Sequence, residues 1–392
     1  MRSSQELLRS KRRELLIGSF QTNPSGSLRE GFFYYVGTDC GKIYIMDKKL
    51  TVEETAQFLR DAVDDAIKEK KSFRIFYHIR PDGDAIGSAY SLALGLNLLG
   101  ASAAAVGSDP IPSVFRDLTD EAEAVLRRKD PERGDTEETV NIAVDTATTY
   151  RLGKNSDEDI DLCIDHHGTN EPGGERYLPA RYRHVEADAS SCSEIIFSIL
   201  KAMDIEITKL MADLLYTGLL TDVSCFRTRS TTAASLQTAA ELASMGADIV
   251  DIARKHYMMK PLPRIEMEKL AYERIRFSQD ENVAGTYLEL DDYIRNGLED
   301  SDLRDFNTVI DQVCKSDGSP LPVRIMVREI EKGRCRISVM ARSFVNAADI
   351  CAVVGGGGHN NSAGAEMQGD PAEVLEKIME ISLQNIHAKK SS

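Results

Sequence analysis

From Thr51 onward, apolar positions fall into alternating runs of helix and strand length. Val52–Lys70 repeats its hydrophobic residues with helical period behind Thr51, a capping residue; Phe73–His78 is a short apolar strand, and Ala85–Leu99 returns to helix. Ala103–Val106, Thr139–Val144 and Leu162–Ile164 are further brief apolar runs, each ending near a polar cluster. Ser193–Met203, Thr208–Thr221 and Thr232–Met245 read as helices. This alternation predicts a parallel sheet in an α/β domain. Ligands of such sheets collect at the carboxyl ends of the strands, which places His78, Asp145 and Asp165 on one rim.

A second pattern begins after the break at Pro261-Leu262-Pro263. Glu266–Arg276 reads as a connecting helix, followed by strands at Val283–Leu290, Val323–Glu329 and Cys335–Met340, a run Gly355–Gly358 with His359, and a last helix over Pro371–Gln384. The expected organisation is an extension over residues 1–50, a catalytic domain over 51–255, a linker helix over 256–276 and a smaller α/β domain over 277–388. Residues 31–36 and 41–45 have the composition of a hairpin, and Met46 is the expected start of the functional chain.

Composition narrows the classes. At 392 residues the chain exceeds one ordinary hydrophobic core, so two domains are expected. A hydrophobic fraction of 42% and a charged fraction of 28% are ordinary for a soluble protein; no apolar run approaches the ~20 residues needed to span a bilayer, so no membrane partner is expected. The first residues lack the apolar core of a secretory signal, and the seven cysteines are dispersed, never as CxxC. A reducing cytoplasm fits both. The formal charge of −15 argues against long duplex nucleic acid as a partner. Trp is absent and aromatic residues make up 6%, so the stacking platform of long single-strand binders is unsupported.

The chemistry lies in His78-Ile79-Arg80-Pro81-Asp82-Gly83-Asp84, answered further on by Asp145, by Asp165-His166-His167 and by Asp222. Each piece has a plainer reading: Pro81-Asp82-Gly83 makes a good turn, and Asp84, Asp145 and Asp222 are also helix-capping types. Their joint occurrence at successive strand ends favours metal. His78, Asp82, Asp84, Asp145, His166 and Asp222 supply oxygen and nitrogen donors without thiolates, the set suited to two Mn²⁺ or Mg²⁺ ions. Asp82 and Asp84 can face neighbouring ions while Asp145 arrives between them. Gly355–Gly358, with His359 behind and Arg342-Ser343 ahead, reads as a backbone nest for phosphate oxygens. His184, His256 and His387 read as structural or surface histidines, and Cys163 and Cys225 as small buried hydrophobes.

These motifs resemble the DHH phosphoesterase superfamily, in the branch of bacterial oligoribonucleases that also dephosphorylate 3′-phosphoadenosine 5′-phosphate (pAp). The resemblance runs from about residue 52 to 385. It rests on His78–Ser88, Ala143–Ala147, Ile164–Gly168 with Asn170, and Thr221-Asp222 with Phe226 and Thr231-Thr232. In the second domain it rests on Val339–Ser343 and Gly355–Gly364. It implies a parallel-sheet N-terminal catalytic domain, a DHH-associated substrate-binding domain, and an active site in the cleft between them. It further implies one ion on His78, Asp82 and Asp145 and another on Asp84, Asp145, His166 and Asp222, with manganese preferred and Mg²⁺ or Co²⁺ as alternatives. His167 is implied as phosphate contact or leaving-group acid, Asp165 as the group orienting the histidine pair, and Ser88, Arg342, Ser343, Gly356, Gly357, Gly358 and His359 as substrate contacts. Where the family commonly has Thr-Gly after the last acidic ligand, this chain has Val223-Ser224, and Asn361-Ser362-Ala363 stands where small alanines are frequent.

The expected substrates are short RNA oligonucleotides and pAp, in an enzyme for which a homodimer is an open arrangement. The rival readings are a phosphodiesterase for pApA or cyclic dinucleotides, a RecJ-type single-strand exonuclease, a pyrophosphatase or exopolyphosphatase, and a non-catalytic nucleotide-binding regulator. The Gly355–His359 signature argues against the pyrophosphatase, and the full complement of ligand residues against the regulator.

Overall fold

The computed structural model describes residues 38–39, 42–43, 47–129, 138–170, 177–298, 303, 306–342 and 344–390. Most of the expected hairpin, and Met46, lie outside them; Thr38–Asp39 and Lys42–Ile43 pair antiparallel. Contacts divide the chain into two compact units after Met259. Among the described residues no helix is long and apolar enough to cross a membrane.

The first unit contains strands β1 (Lys48–Lys49), β2 (Ser72–Phe76), β3 (Ser102–Val106), β4 (Thr139–Val144), β5 (Leu162–Asp165) and β6 (Tyr182–Val185). They form one sheet in the order β1-β6-β5-β4-β2-β3, and every pair is parallel. Its helices include α1 (Val52–Glu69), α2 (Gly83–Leu98), α3 (Arg116–Lys129), α4 (Cys192–Ala202), α5 (Lys209–Asp222), α6 (Ala233–Ser244) and α7 (Ile249–Tyr257). Thr51 starts α1 through a reciprocal capping box: its Oγ1 accepts the Glu54 N–H at 3.2 Å while Glu54 Oε2 accepts the Thr51 N–H at 3.0 Å. Helix α2 is mostly apolar and buried on all sides from Gly83 to Asn97. Gly87 lets α5 approach it, since a Cβ there would meet the Leu214 carbonyl oxygen at 2.4 Å.

Strand β6 escapes the hydrophobic pattern because two of its four residues are Arg183 and His184, both buried. Their side-chain nitrogens all find partners. Arg183 donates to the Asn170 and Leu178 carbonyls at 2.6 and 2.8 Å, and the two His184 ring nitrogens face Leu50 O and Glu186 Oε1. Burial of such groups costs little once each donor has an acceptor.

The second unit begins with α8 (Leu262–Glu273). Strands β7 (Arg276–Phe277) and β8 (Val283–Leu288), helices α9 (Leu290–Arg295) and α10 (Asn307–Asp311), and strands β9 (Val323–Glu331) and β10 (Arg334–Ala341) follow. The unit closes with α11 (Ala347–Ala352), β11 (Gly357–Gly358), β12 (Ser362–Gln368) and α12 (Pro371–Lys390). Its sheet runs β11-β12-β10-β9-β8-β7, antiparallel except for β8 with β9. Alternation along β9 serves two cores: Val323, Ile325 and Val327 share one with Leu375 and Ile378 of α12, and Met326 joins the other with Phe306 and Val309. The segment expected as a linker helix is corrected here. Met267 and Ala271 of α8 are fully buried in that second core, so α8 is an integral layer of the unit.

Candidate metal centre

Strand β2 ends at Phe76, and two residues later the buried His78 ring sits with Nδ1 2.8 Å from the Ile79 carbonyl oxygen. That acceptor takes the Nδ1 proton, so Nε2 is the nitrogen that faces Asp145 Oδ2 at 3.3 Å and Asp82 Oδ1 at 3.6 Å. Asp82 does double duty, because the same Oδ1 caps α2 by accepting the Ala85 N–H at 3.1 Å. Asp145 follows β4 with φ of 50°, a left-handed conformation that costs a non-glycine residue about 1–2 kcal/mol. Its N–H continues the sheet ladder to Ile164 O at 3.0 Å while its carboxylate reaches both histidines.

His166, just past β5, places Nε2 3.5 Å from Asp145 Oδ1, 3.6 Å from Asp222 Oδ2 at the end of α5, and 3.9 Å from Asp84 Oδ2 at the start of α2. Donor atoms of His78, Asp82 and Asp145 lie within 4.8 Å of one another, as do those of Asp84, His166 and Asp222, and those of Asp145, His166 and His167. The 3.3–3.9 Å separations fall within the ~4.2 Å that two ligand atoms each ~2.1 Å from one ion can span. An all-oxygen-and-imidazole donor set fits a hard or borderline divalent cation.

The charges are strongly coupled. Burial disfavours a charged His78, yet the Asp145 and Asp82 carboxylates outweigh it and raise the ring to about 10. His166 reaches about 10 for the same reason, against burial, through Asp145, Asp84 and Asp222. Burial also pushes Asp145 up, but the two imidazoles hold it well below the usual carboxylate range. Asp84 is raised well above that range, chiefly by burial and then by Asp145 and Asp222, and Asp222 rises to about 6, again chiefly by burial. Without an ion, the cluster is a proton store.

Beside the six donors, His167 Nδ1 lies 2.7 Å from Asp165 Oδ1, which raises the ring's pKa. Asp165 is spent within its own loop: Oδ1 also accepts the His166 and His167 N–H groups, and Oδ2 accepts Asn170 Nδ2 at 2.8 Å. Ser88 requires a correction. It is fully buried, and its Oγ donates to the Asp84 carbonyl at 2.6 Å inside α2, so no surface of it meets a substrate.

In the second unit, Arg342 is exposed just after β10, and Gly356–Gly358 with the exposed His359 lie along β11. A Cβ on Gly356 would meet Gly364 O at 2.3 Å, and Gly358 has φ of 149°, so the segment needs glycine at both places. Ser343 lies outside the described residues. The first turn of α4 is the feature that sequence reasoning missed. Its Cys192 and Ser193 N–H groups donate to Asp84 Oδ2 and Oδ1 at 2.6 and 2.8 Å. The available signal was Ser191 as a capping residue with Glu194 behind it.

The N-terminal domain pattern of the DHH family matches residues 72–219. A bifunctional oligoribonuclease and PAP phosphatase NrnA from Thermus thermophilus is 30% identical over 304 residues, covering 77% of this chain and 86% of the relative. A protein of the same name from Mycoplasma genitalium is 27% identical over 316 residues, covering 76% and 90%. An exopolyphosphatase-related protein from Bacteroides fragilis shares the fold, with a TM-score of 0.63 at 22% identity, over 85% of this chain and 97% of that one. Parallel sheet, rim of carboxylates and imidazoles, and relatives together define a phosphoesterase. The chain belongs to the DHH family.

Proposed function

We propose that the protein hydrolyses short oligoribonucleotides to nucleoside monophosphates and converts pAp to AMP and phosphate, using two divalent ions, Mn²⁺ first among them. The observation that carries this reading is the convergence of two three-residue donor sets on one sheet rim, with Asp145 facing both histidines. Two relatives named for these two activities, each matched over most of its length, support the choice of substrate.

In this reading His78, Asp82 and Asp145 hold one ion, and Asp84, Asp145, His166 and Asp222 the other. Two divalent ions held by these residues would supply an acidified water and positive charge for displacement at phosphorus. The residues do the rest. Asp165 fixes His167 Nδ1 as a donor and keeps the ring protonated above its ordinary range, so that Nε2 carries a proton for the leaving oxygen. Arg342, His359 and the Gly356–Gly358 segment are assigned to binding a substrate phosphate, and Ser343 with them. A cytoplasmic location belongs to the same reading, supported by the six cysteines among the described residues, all free thiols.

The test offers purified protein and Mn²⁺ a panel of pAp, pApA, two- to five-nucleotide RNA, long single-stranded DNA and pyrophosphate. Turnover of pAp and short RNA is expected. Phosphate release from pyrophosphate alone would overturn the substrate choice.

A further inference from the structure

Asp84 is 1% exposed, and the first turn of α4 already uses part of its carboxylate. Oδ2 accepts the Cys192 N–H and Oδ1 the Ser193 N–H. The Ser193 hydroxyl is buried too, and it has no hydrogen-bond partner among the described residues. It shares one gap with the same carboxylate: a Cβ on Gly218 would meet both Ser193 Oγ, at 2.0 Å, and Asp84 Oδ1, at 3.0 Å. A buried hydroxyl left unpaired is destabilising, and an adjacent anionic oxygen is the natural acceptor for it.

We propose that Ser193 is the positioning residue for the ion held by Asp84, an inference that rests on the two-ion reading above. A carboxylate offers about four lone-pair sites, two on each oxygen. On Oδ1 they are taken by the Ser193 N–H and, once a bound cation keeps Asp84 ionised, by the Ser193 O–H. On Oδ2 one is taken by the Cys192 N–H, and one remains. Oδ2 is the oxygen that lies 3.9 Å from His166 Nε2, so the remaining lone pair points into the donor set shared with His166 and Asp222. Asp84 is therefore a one-oxygen ligand of fixed orientation, and the positive end of the eleven-residue α4 stabilises its charge. Asp82, assigned to the other ion, is held less tightly. Asp82 accepts one N–H, from Ala85, and its side chain is 57% exposed.

Mn²⁺ titration of the full chain, with free ion counted by electron paramagnetic resonance and binding heats by calorimetry, separates the two sites. Ser193→Ala is compared with Ser198→Ala, whose hydroxyl donates to the Glu194 carbonyl on the same helix. Wild type and S198A are expected to bind two ions. S193A should bind one with wild-type affinity and the other roughly tenfold to hundredfold more weakly, with a metal-free melting temperature no lower than wild type. Two normal ions in S193A, or equal weakening of both, overturns the positioning role. A wild type that does not take two ions overturns the reading beneath it, before any variant is compared. Should S193A not fold, Ser193→Cys keeps the volume with a weaker donor; it must show the same one-site loss, and two normal ions there overturn the proposal.

Discussion

Metal uptake should expel protons at a pH where an ordinary histidine site has none to give. Burial alone would keep His78 and His166 neutral, but Asp145, 3.3 and 3.5 Å from their Nε2 atoms, outweighs it and holds both rings protonated to about 10 in the metal-free protein. That lies three units above pH 7, so at neutral pH competition with the proton weakens each imidazole ligand by about a thousandfold. Between pH 7 and 10 the apparent affinity should climb by about tenfold per pH unit for every proton displaced. A ring of ordinary pKa would give a flat profile there. Calorimetry at pH 8, in two buffers of different ionisation enthalpy, counts the protons released. About two or more per protein are expected when both ions bind; a count near zero would mean neutral rings and would refute the electrostatic account. The stability of the metal-free protein carries the same sign. Both folded-state values exceed the ordinary imidazole value of 6.5, so the contribution is complete below about pH 6.5 and is lost as pH rises through about 10. Its melting temperature should fall across that window, and Mn²⁺ should offset the fall.

Asp145→Ala removes the carboxylate that faces both histidines, and turnover of every substrate should drop to background while the His78 and His166 protons are released near ordinary pH; kcat and a proton titration check both. His359→Ala should raise KM for pAp severalfold with kcat nearly unchanged if the second unit contributes uniform binding, and unchanged kinetics would remove His359 from the site. Ser224→Gly addresses strain, because Ser224, Cys225 and Phe226 all have φ between 46° and 59° directly after Asp222 and Val223. Relief of about 1–2 kcal/mol at residue 224 outweighs about 0.5–1 kcal/mol of added freedom in the unfolded chain, a net gain of up to about 1.5 kcal/mol. Thermal melting should rise by a degree or more, and a fall would show that the serine side chain contributes more than the strain costs.

What the sequence made visible divides along a physical line. Strands whose residues are buried on both faces announce themselves as apolar runs, and their polar ends then mark the rim, which is why His78, Asp145, Asp165 and the neighbouring donors could be gathered before any coordinates. Strand β6 did not announce itself, since Arg183 and His184 are made buriable by acceptors more than five residues away on other segments, Asn170 and Leu50. Strand β12 was hidden for the opposite reason: Ser362-Ala363-Gly364-Ala365 carries too little apolar surface to register, and its place in the sheet comes from its backbone pairing with β10.

Hydroxyls show the limit most clearly. Ser88 and Ser193 both stand within two turns of a helix start near the same carboxylate, and composition cannot tell them apart. The difference lies in direction. The Ser88 Oγ finds the Asp84 carbonyl inside its own helix, a bond available to any serine four residues along, and the residue is thereby closed to ligands. Ser193 comes from another helix, 109 residues away in sequence; its N–H donates to Asp84 Oδ1, and its Oγ lies in the same gap beside Gly218 as that carboxylate oxygen. A motif names the donors that touch an ion. The groups that hold those donors in place are set by how three helices pack, and packing of that kind is written across the chain in pairs of small residues such as Gly87 and Gly218 that have no chemistry of their own.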